Sequence, residues 1–116
     1  MQREMLIGKL HRGTVTECRL DYEGSLTVDE DLIDAAGMLV HQKIQVLDIM
    51  NGARIETYLI PGARGKREIA VNGAAARLFY RGDRVIICAY AMLDETEARA
   101  FKPKVVLLDD KNRVVG

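Results

Sequence analysis

Short β-forming runs separated by glycine-containing turns limit the fold of this sequence more than any other feature. The clearest turn is Asn51-Gly52, which predicts a two-residue β-hairpin between strands at residues 44–49 and 53–60. Further β-forming runs cover residues 5–16, 69–71, 85–91 and 104–108. Helical spacing is confined to residues 29–39, 74–78 and 94–99. The pattern predicts a mainly β fold, a small closed barrel with a few short helices.

Alternation along the predicted strands assigns side chains to faces. Lys9 and His11 are two residues apart, so a strand places them on the same face. In the strand at residues 53–60, Arg54 and Tyr58 share one face and Thr57 lies on the other. A site that used both Thr57 and Tyr58 would therefore need a bulge or a second subunit.

Composition predicts one domain over residues 1–116, because 48% of the residues are hydrophobic and the chain is short. Its 17 basic and 17 acidic residues cancel, which argues against nucleic acid or an anionic membrane as a partner. We expect a cytoplasmic protein, since no apolar run could span a bilayer or act as a signal peptide. Cys18 and Cys88 lie far apart and suggest neither a metal site nor a redox pair.

The dipeptide Gly24-Ser25 is the candidate reactive centre. Glycine leaves its carbonyl unhindered, and the serine hydroxyl that follows is a nucleophile one residue away, the minimal arrangement for attack on the backbone itself. Gly-Ser is also an ordinary turn sequence. The dipeptide therefore gains meaning only from the motifs around it.

Those motifs occur in a fixed order. They are Gly8-Lys9-Leu10-His11-Arg12, Tyr22-Glu23-Gly24-Ser25, Asn51-Gly52-Ala53-Arg54, Thr57-Tyr58 and Asn72-Gly73-Ala74-Ala75-Ala76. Together they resemble the aspartate 1-decarboxylase family, over about residues 5 to 106. The resemblance implies a six-stranded double-psi β-barrel that cleaves itself into residues 1–24 and 25–116. It also implies a homotetramer with each active site at a subunit boundary.

The activity implied by the resemblance is removal of the α-carboxylate of L-aspartate, giving beta-alanine for pantothenate and coenzyme A biosynthesis. Loss of a carboxylate requires an acceptor for the electron pair, which no ordinary side chain supplies. The family uses a pyruvoyl group formed from the serine at the cleavage point, here Ser25. The resemblance names no partner protein for maturation.

The resemblance assigns roles to individual residues. Gly24, Ser25 and Thr57 belong to the processing step, and Ser25 with Tyr58, the proton donor, to catalysis. Substrate-binding positions are Lys9, Arg54, Thr57, Asn72, Gly73, Ala74 and Ala75, with His11 as a hydrogen-bond partner and Tyr22 as a pocket wall. A departure from the family pattern is Lys66-Arg67-Glu68, where the loop usually continues with small residues.

Two other functions remain open from the residues alone. A serine hydrolase could pair Ser25 with His11 and an aspartate, although the G-x-S-x-G elbow is missing. A barrel without catalytic activity could bind DNA or protein, and zero net charge counts only against DNA.

Overall fold

The computed structural model describes residues 1–115, in which there are nine strands, two α-helices and one 3-10 helix. The strands are β1 (Gln2–Thr14), β2 (Glu17–Arg19), β3 (Ser25–Asp29), β4 (Lys43–Asp48), β5 (Arg54–Gly62), β6 (Ile69–Asn72), β7 (Arg84–Asp94), β8 (Lys104–Leu108) and β9 (Val114–Val115). The helices are α1 (Glu30–Ala35), the 3-10 helix at Gly73–Arg77 and α2 (Glu95–Ala100). No helix within this range has the length and apolar character needed to cross a bilayer.

One chain segment closes the sheet. The strand order is β2-β6-β3-β5-β4-β7-β1-β8-β9, so β1 and β2 pair with different neighbours although only Val15 and Thr16 separate them. The Thr16 amide donates to the Ile69 carbonyl at 2.8 Å and leads the chain from one side of the sheet to the other. With β1 and β2 counted as one strand, six strands encircle the core, and β8 and β9 lie outside them. The predicted mainly β fold is confirmed, and the closure is consistent with a double-psi β-barrel.

The barrel interior is filled by aliphatic side chains that alternate along the strands. Burial of each contributes about 1.5 to 3 kcal/mol to folding. The largest fully buried side chains are Leu10, Val15, Leu26, Val28, Ile33, Ile44, Val46, Leu59, Ile69, Val71, Phe79 and Ile87. Strand β7 is central, since it pairs with β4 on one side and β1 on the other.

The hairpin between β4 and β5 is present, but the prediction of a two-residue turn is wrong. Residues 49–53 form the connection because side chains satisfy its amides: Asp48 Oδ1 accepts from Met50 N at 2.8 Å and Asn51 Oδ1 from Ala53 N at 2.8 Å. Asn51 Nδ2 also donates to the Leu78 carbonyl at 2.9 Å. The turn is thus widened and tied to the end of the 3-10 helix.

The helix predicted over residues 29–39 is shorter than expected. It ends at Ala35 because Gly37 has a φ of +68°, a left-handed conformation that stops the helix, and the Met38 amide returns to the Ile33 carbonyl at 3.0 Å. Helix α2 is capped by Asp94, whose Oδ1 accepts from Glu97 N at 2.8 Å. Strands β2 and β9 were not predicted, since two or three residues carry too little pattern.

Candidate active site

Ser25 is the first residue of β3 and lies at the boundary between a buried strand and an exposed loop. Gly24 is exposed, whereas Ser25 is 3% exposed. The Ser25 hydroxyl donates to the Glu23 carbonyl at 3.3 Å and accepts from Asn72 Nδ2 at 3.0 Å. The nucleophile is therefore held in place while the peptide unit before it remains accessible.

Asn72 organises the hydroxyl groups next to the Gly24-Ser25 bond. It is fully buried at the end of β6, opposite Ser25, and its Nδ2 also donates to Thr27 Oγ1 at 2.8 Å. Asn72 Oδ1 is buried without a hydrogen-bond partner. A buried acceptor of this kind costs about 1 to 3 kcal/mol, which marks a position where a ligand or a rearranged backbone can donate. Sequence reasoning missed Thr27, although alternation after Ser25 could have placed both hydroxyls on one face.

Gly73 lets the chain pack directly against the Gly24-Ser25 dipeptide. Its φ is +77°, and a Cβ there would lie 2.7 Å from Gly24 Cα and 2.8 Å from Gly24 N. No side chain fits at that distance, so residue 73 has to be glycine. Beyond it, Ala74 and Ala75 continue into the 3-10 helix with small side chains.

An open cleft of about 360 Å³ lies beside the dipeptide. It brings together five of the residues singled out from the sequence, namely Gly24, Thr57, Asn72, Ala74 and Ala75. Its other walls are Ile55, Glu56 and Leu78. Tyr22 is not among these residues, and its ring lies instead 5.9 Å from the guanidinium carbon of Arg19.

A second group of predicted site residues lies on the outer face of the sheet formed by β5, β4, β7 and β1. The strand register aligns Arg54, Leu47, Ile86 and His11 in one row, and Glu56, Gln45, Cys88 and Lys9 in the next. Arg54 and His11 are three strand spacings apart, about 14 Å. Tyr58 lies on the same face, 39% exposed.

This outer face also has a hollow of about 330 Å³. It is lined by Glu4, Lys43, Ile44, Gln45, Glu56 and Tyr90. Gln45 Oε1 accepts from the Tyr90 hydroxyl at 3.0 Å and, more weakly, from Arg54 Nη1 at 3.4 Å. The Arg54 guanidinium thus keeps donors free for a ligand.

No bulge in β5 brings Thr57 onto the face that carries Arg54 and Tyr58. Strand β5 pairs with β4 in unbroken register from Tyr58 opposite Lys43 to Arg54 opposite Leu47. The alternation predicted for β5 is confirmed, since Arg54, Glu56 and Tyr58 are exposed while Ile55 and Thr57 are half-buried. Within one chain, Thr57 is therefore on the opposite face of β5 from Arg54 and Tyr58. The Ser25 side chain shares the face of Tyr58, because their neighbours Leu26 and Leu59 are paired and both point into the core.

His11 does not act on Ser25 in this structure. The hydroxyl of Ser25 is bonded to Asn72 and to the Glu23 carbonyl, whereas His11 lies in the outer row of β1. The Nδ1 atom of His11 is buried without a partner, and burial, followed by the charges of Lys9 and Arg12, lowers the pKa of its imidazole. A serine hydrolase mechanism through Ser25 and His11 lacks its central contact.

The fold and the site define a class: a small closed β-barrel that holds the hydroxyl of a Gly-Ser bond beneath an open cleft. The model of the aspartate decarboxylase family matches residues 1–115. Aspartate 1-decarboxylase from Bacillus velezensis is 56% identical over 114 residues, which is 98% of this chain and 90% of that protein. The one from Carboxydothermus hydrogenoformans is 57% identical over 111 residues, 96% of this chain and 87% of its own. The chain belongs to the aspartate decarboxylase family, and these relatives are carboxy-lyases.

Proposed function

We propose that this protein cleaves itself between Gly24 and Ser25 and then converts L-aspartate to beta-alanine and carbon dioxide. The observation that carries the proposal is the contact between Asn72 and Ser25: a buried amide holds the hydroxyl at 3.0 Å beside an exposed glycine carbonyl unit. Family membership supplies the reaction class. Ser25 is the only serine in the sequence, so no other residue could supply a serine-derived group.

Self-cleavage begins with attack of Ser25 Oγ on the Gly24 carbonyl carbon, which replaces the amide by an ester and leaves the Ser25 nitrogen as a free amine. Elimination then breaks the bond between Cβ and Oγ, releasing residues 1–24 with a new carboxylate and leaving dehydroalanine at position 25. Addition of water and loss of ammonia give the pyruvoyl group at the start of a chain of 116 − 24 = 92 residues. Thr57 shares the cleft with Gly24, where its hydroxyl can assist the attack.

The residues around position 25 fit a pyruvoyl group. Cleavage removes Oγ from residue 25, so the Asn72 N–H that now binds Ser25 becomes free to donate to a carbonyl oxygen. Asn72 Oδ1 is an acceptor without a donor. Small residues at 73, 74 and 75 leave space for a substrate beside the group. When present, the pyruvoyl group supplies the electron acceptor that decarboxylation requires.

The chain's own side chains bind the substrate and move its proton. Arg54 and Lys9 offer two cations for a dianionic amino acid, and the guanidinium can hold a carboxylate through two parallel hydrogen bonds. We assign to the Tyr58 hydroxyl the proton that the α-carbon takes up after carbon dioxide leaves. The hydrogen-bond donors of Asn72 and of the 73–75 backbone hold the substrate against the reacting carbon.

Two copies of the chain are needed to complete this site. Since Arg54 and Tyr58 are on the outer face of β5 and do not line the Gly24 cleft of their own chain, we infer that the outer face of one barrel covers the cleft of another. The exposed apolar residues Val105, Leu107, Val114 and Val115 provide further surface for association. We propose a cytoplasmic homotetramer with a site at each such boundary, producing beta-alanine for pantothenate and coenzyme A.

Intact-mass measurement of the purified protein tests the proposal. We expect chains of 24 and 92 residues whose masses sum to the full chain plus one water minus one ammonia. The same preparation should release beta-alanine from L-aspartate, and Ser25→Ala should do neither. An intact chain after prolonged incubation, or two chains whose masses sum without the loss of ammonia, would contradict it.

A further inference from the structure

Both ends of the loop before the scissile bond converge on one residue. Arg19, the last residue of β2, is opposite Asn72 on one side of β6, and Ser25, the first residue of β3, is opposite Asn72 on the other. The five residues between them cross the end of β6. Ser25 is fixed by Asn72, but Gly24 has open space where a side chain would project. The Gly24 side of the reacting pair therefore needs a restraint from outside the dipeptide.

An ion pair at the start of this loop can supply that restraint. Arg19 Nη2 lies 2.6 Å from Glu68 Oε2, and the two side chains are 37% and 26% exposed. Glu68 is anchored through its own backbone, because its carbonyl accepts from the Asp29 amide at 2.9 Å. The pair thus links the start of the loop that ends at Gly24 to a fixed point in the barrel.

The Glu68 carboxylate also lies near Thr27. A Cβ on Gly62 would be 3.1 Å from Glu68 Oε1 and 3.3 Å from Thr27 Cγ2, so the carboxylate and Thr27 are close neighbours. Thr27 in turn accepts from Asn72.

From Arg19 the connection continues into the loop. The guanidinium carbon lies 5.9 Å from the centre of the Tyr22 ring, within range of a cation–π interaction. The Tyr22 carbonyl is close to Gly73, since a Cβ on that glycine would be 3.1 Å away from its oxygen. Glu68, Arg19 and Tyr22 thus form a continuous line of contacts that ends two residues before Gly24.

We propose that Arg19 and Glu68 are positioning residues for self-cleavage, which together hold the Tyr22–Gly24 segment so that the Gly24 carbonyl stays aligned with Ser25 Oγ. The inference rests on the proposed function. It concerns maturation alone, because cleavage turns Gly24 into a free chain end that no longer determines the position of residue 25. It also gives a reason why Lys66-Arg67-Glu68 stands where this loop usually continues with small residues: Glu68 is one member of the ion pair.

A double-mutant cycle on the full-length chain tests the proposal. Arg19→Gln, Glu68→Gln and the double variant are produced, and the cleaved fraction is followed by intact mass at a temperature well below each melting point. Each single change should slow cleavage about fivefold, as expected for a partly exposed ion pair of about 1 kcal/mol. The double variant should be no slower than the singles, and Arg19→Lys should cleave close to the wild-type rate.

Two controls separate this inference from loss of fold and from the proposed function. Glu95→Gln removes an exposed carboxylate on α2 that contacts Arg3 of β1 and Arg99 of α2, and it should not change the cleavage rate. Turnover of L-aspartate, normalised to the amount of pyruvoyl chain, should stay within about twofold of wild type in all variants. The positioning role would be overturned if both single variants cleaved at the wild-type rate, or if their losses were additive in the double variant. Equal losses in cleavage and in turnover would overturn it as well. Failure of the wild type to cleave would overturn both proposals.

Discussion

Thr57 and Tyr58 are adjacent on β5, and their side chains lie on opposite faces of the sheet. Thr57 lines the cleft beside Gly24, whereas Tyr58 is on the outer face with Arg54. Our proposed site combines the cleft of one chain with the outer face of another, so that Thr57 and Tyr58 serve different surfaces. The two halves of such a site can therefore be inactivated separately.

Complementation between two inactive variants tests this division. Ser25→Ala loses the cleft half of a site and Tyr58→Phe loses the outer half, so each alone should be nearly inactive. In oligomers assembled by co-expression of equal amounts, random mixing gives about a quarter of the sites an intact Ser25 from one chain and an intact Tyr58 from the other. We expect about that fraction of wild-type turnover. Activity no higher than the sum of the two separate preparations would show that each site lies within one chain.

The sequence predicted the faces of β5, because alternation along a strand is a local property. The residues that line the cleft were assigned from the family resemblance, not from a local pattern. It did not predict that Arg19 reaches Glu68 or that Asn72 joins Ser25 to Thr27. Those contacts depend on β6 lying between β2 and β3, and this long-range pairing leaves no signal in one sequence. The prediction of a two-residue turn after Asp48 was wrong for a related reason, since the length of this connection depends on side-chain hydrogen bonds to its amides.

Ser25→Ala should abolish cleavage and leave the barrel folded. The change deletes one hydroxyl at the start of β3, while the pairing of β3 with β6 and the bond from Asn72 to Thr27 remain. Loss of the two hydrogen bonds of this hydroxyl, at about 1 kcal/mol each, is too little to unfold the chain. Intact mass should give one species of 116 residues, and circular dichroism should match the wild type. A Ser25→Ala protein that still splits after Gly24 would disprove the role of this hydroxyl.

Arg54→Ala should impair substrate use far more than processing. If Arg54 forms an ion pair with a substrate carboxylate, truncating it costs about 2 to 5 kcal/mol and lowers kcat/KM by roughly one and a half to nearly four powers of ten. Arg99→Ala is the matched control, since Arg99 is an exposed arginine on α2 whose partner is Glu95. Steady-state kinetics with L-aspartate checks the expectation. A loss below about threefold for Arg54→Ala would remove this residue from the site.

Tyr58→Phe should separate maturation from turnover. Phenylalanine keeps the ring packing and deletes one hydroxyl, so the variant should still give the 24- and 92-residue chains. Loss of a positioned proton donor should slow beta-alanine release by about a hundredfold to ten-thousandfold. Wild-type turnover would assign the proton to another donor, and failure to cleave would assign Tyr58 to the maturation step.

Asp48 should make the fold less stable as the pH rises from about 4 to about 6. Burial, followed by a hydrogen bond with Asp83, raises the pKa of the Asp48 carboxyl from 3.8 to about 6. The folded protein therefore favours the protonated form, and this contribution to stability is complete below the unfolded pKa and is lost as the pH passes the folded value.

Asp48→Asn tests this pH dependence in a Ser25→Ala background, which keeps the chain uncleaved. The asparagine oxygen can keep the bond from Met50 N, at 2.8 Å in the wild type, and its NH₂ group can donate to Asp83 without charge. We expect nearly equal melting temperatures at pH 4 and a more stable variant at pH 8. Asp109→Asn is the opposite control: backbone and side-chain hydrogen bonds hold the pKa of Asp109 at about 2, so this change should lower stability at pH 8. If the difference in melting temperature between Asp48→Asn and its parent stayed constant from pH 4 to pH 8, folding would not raise the pKa of Asp48.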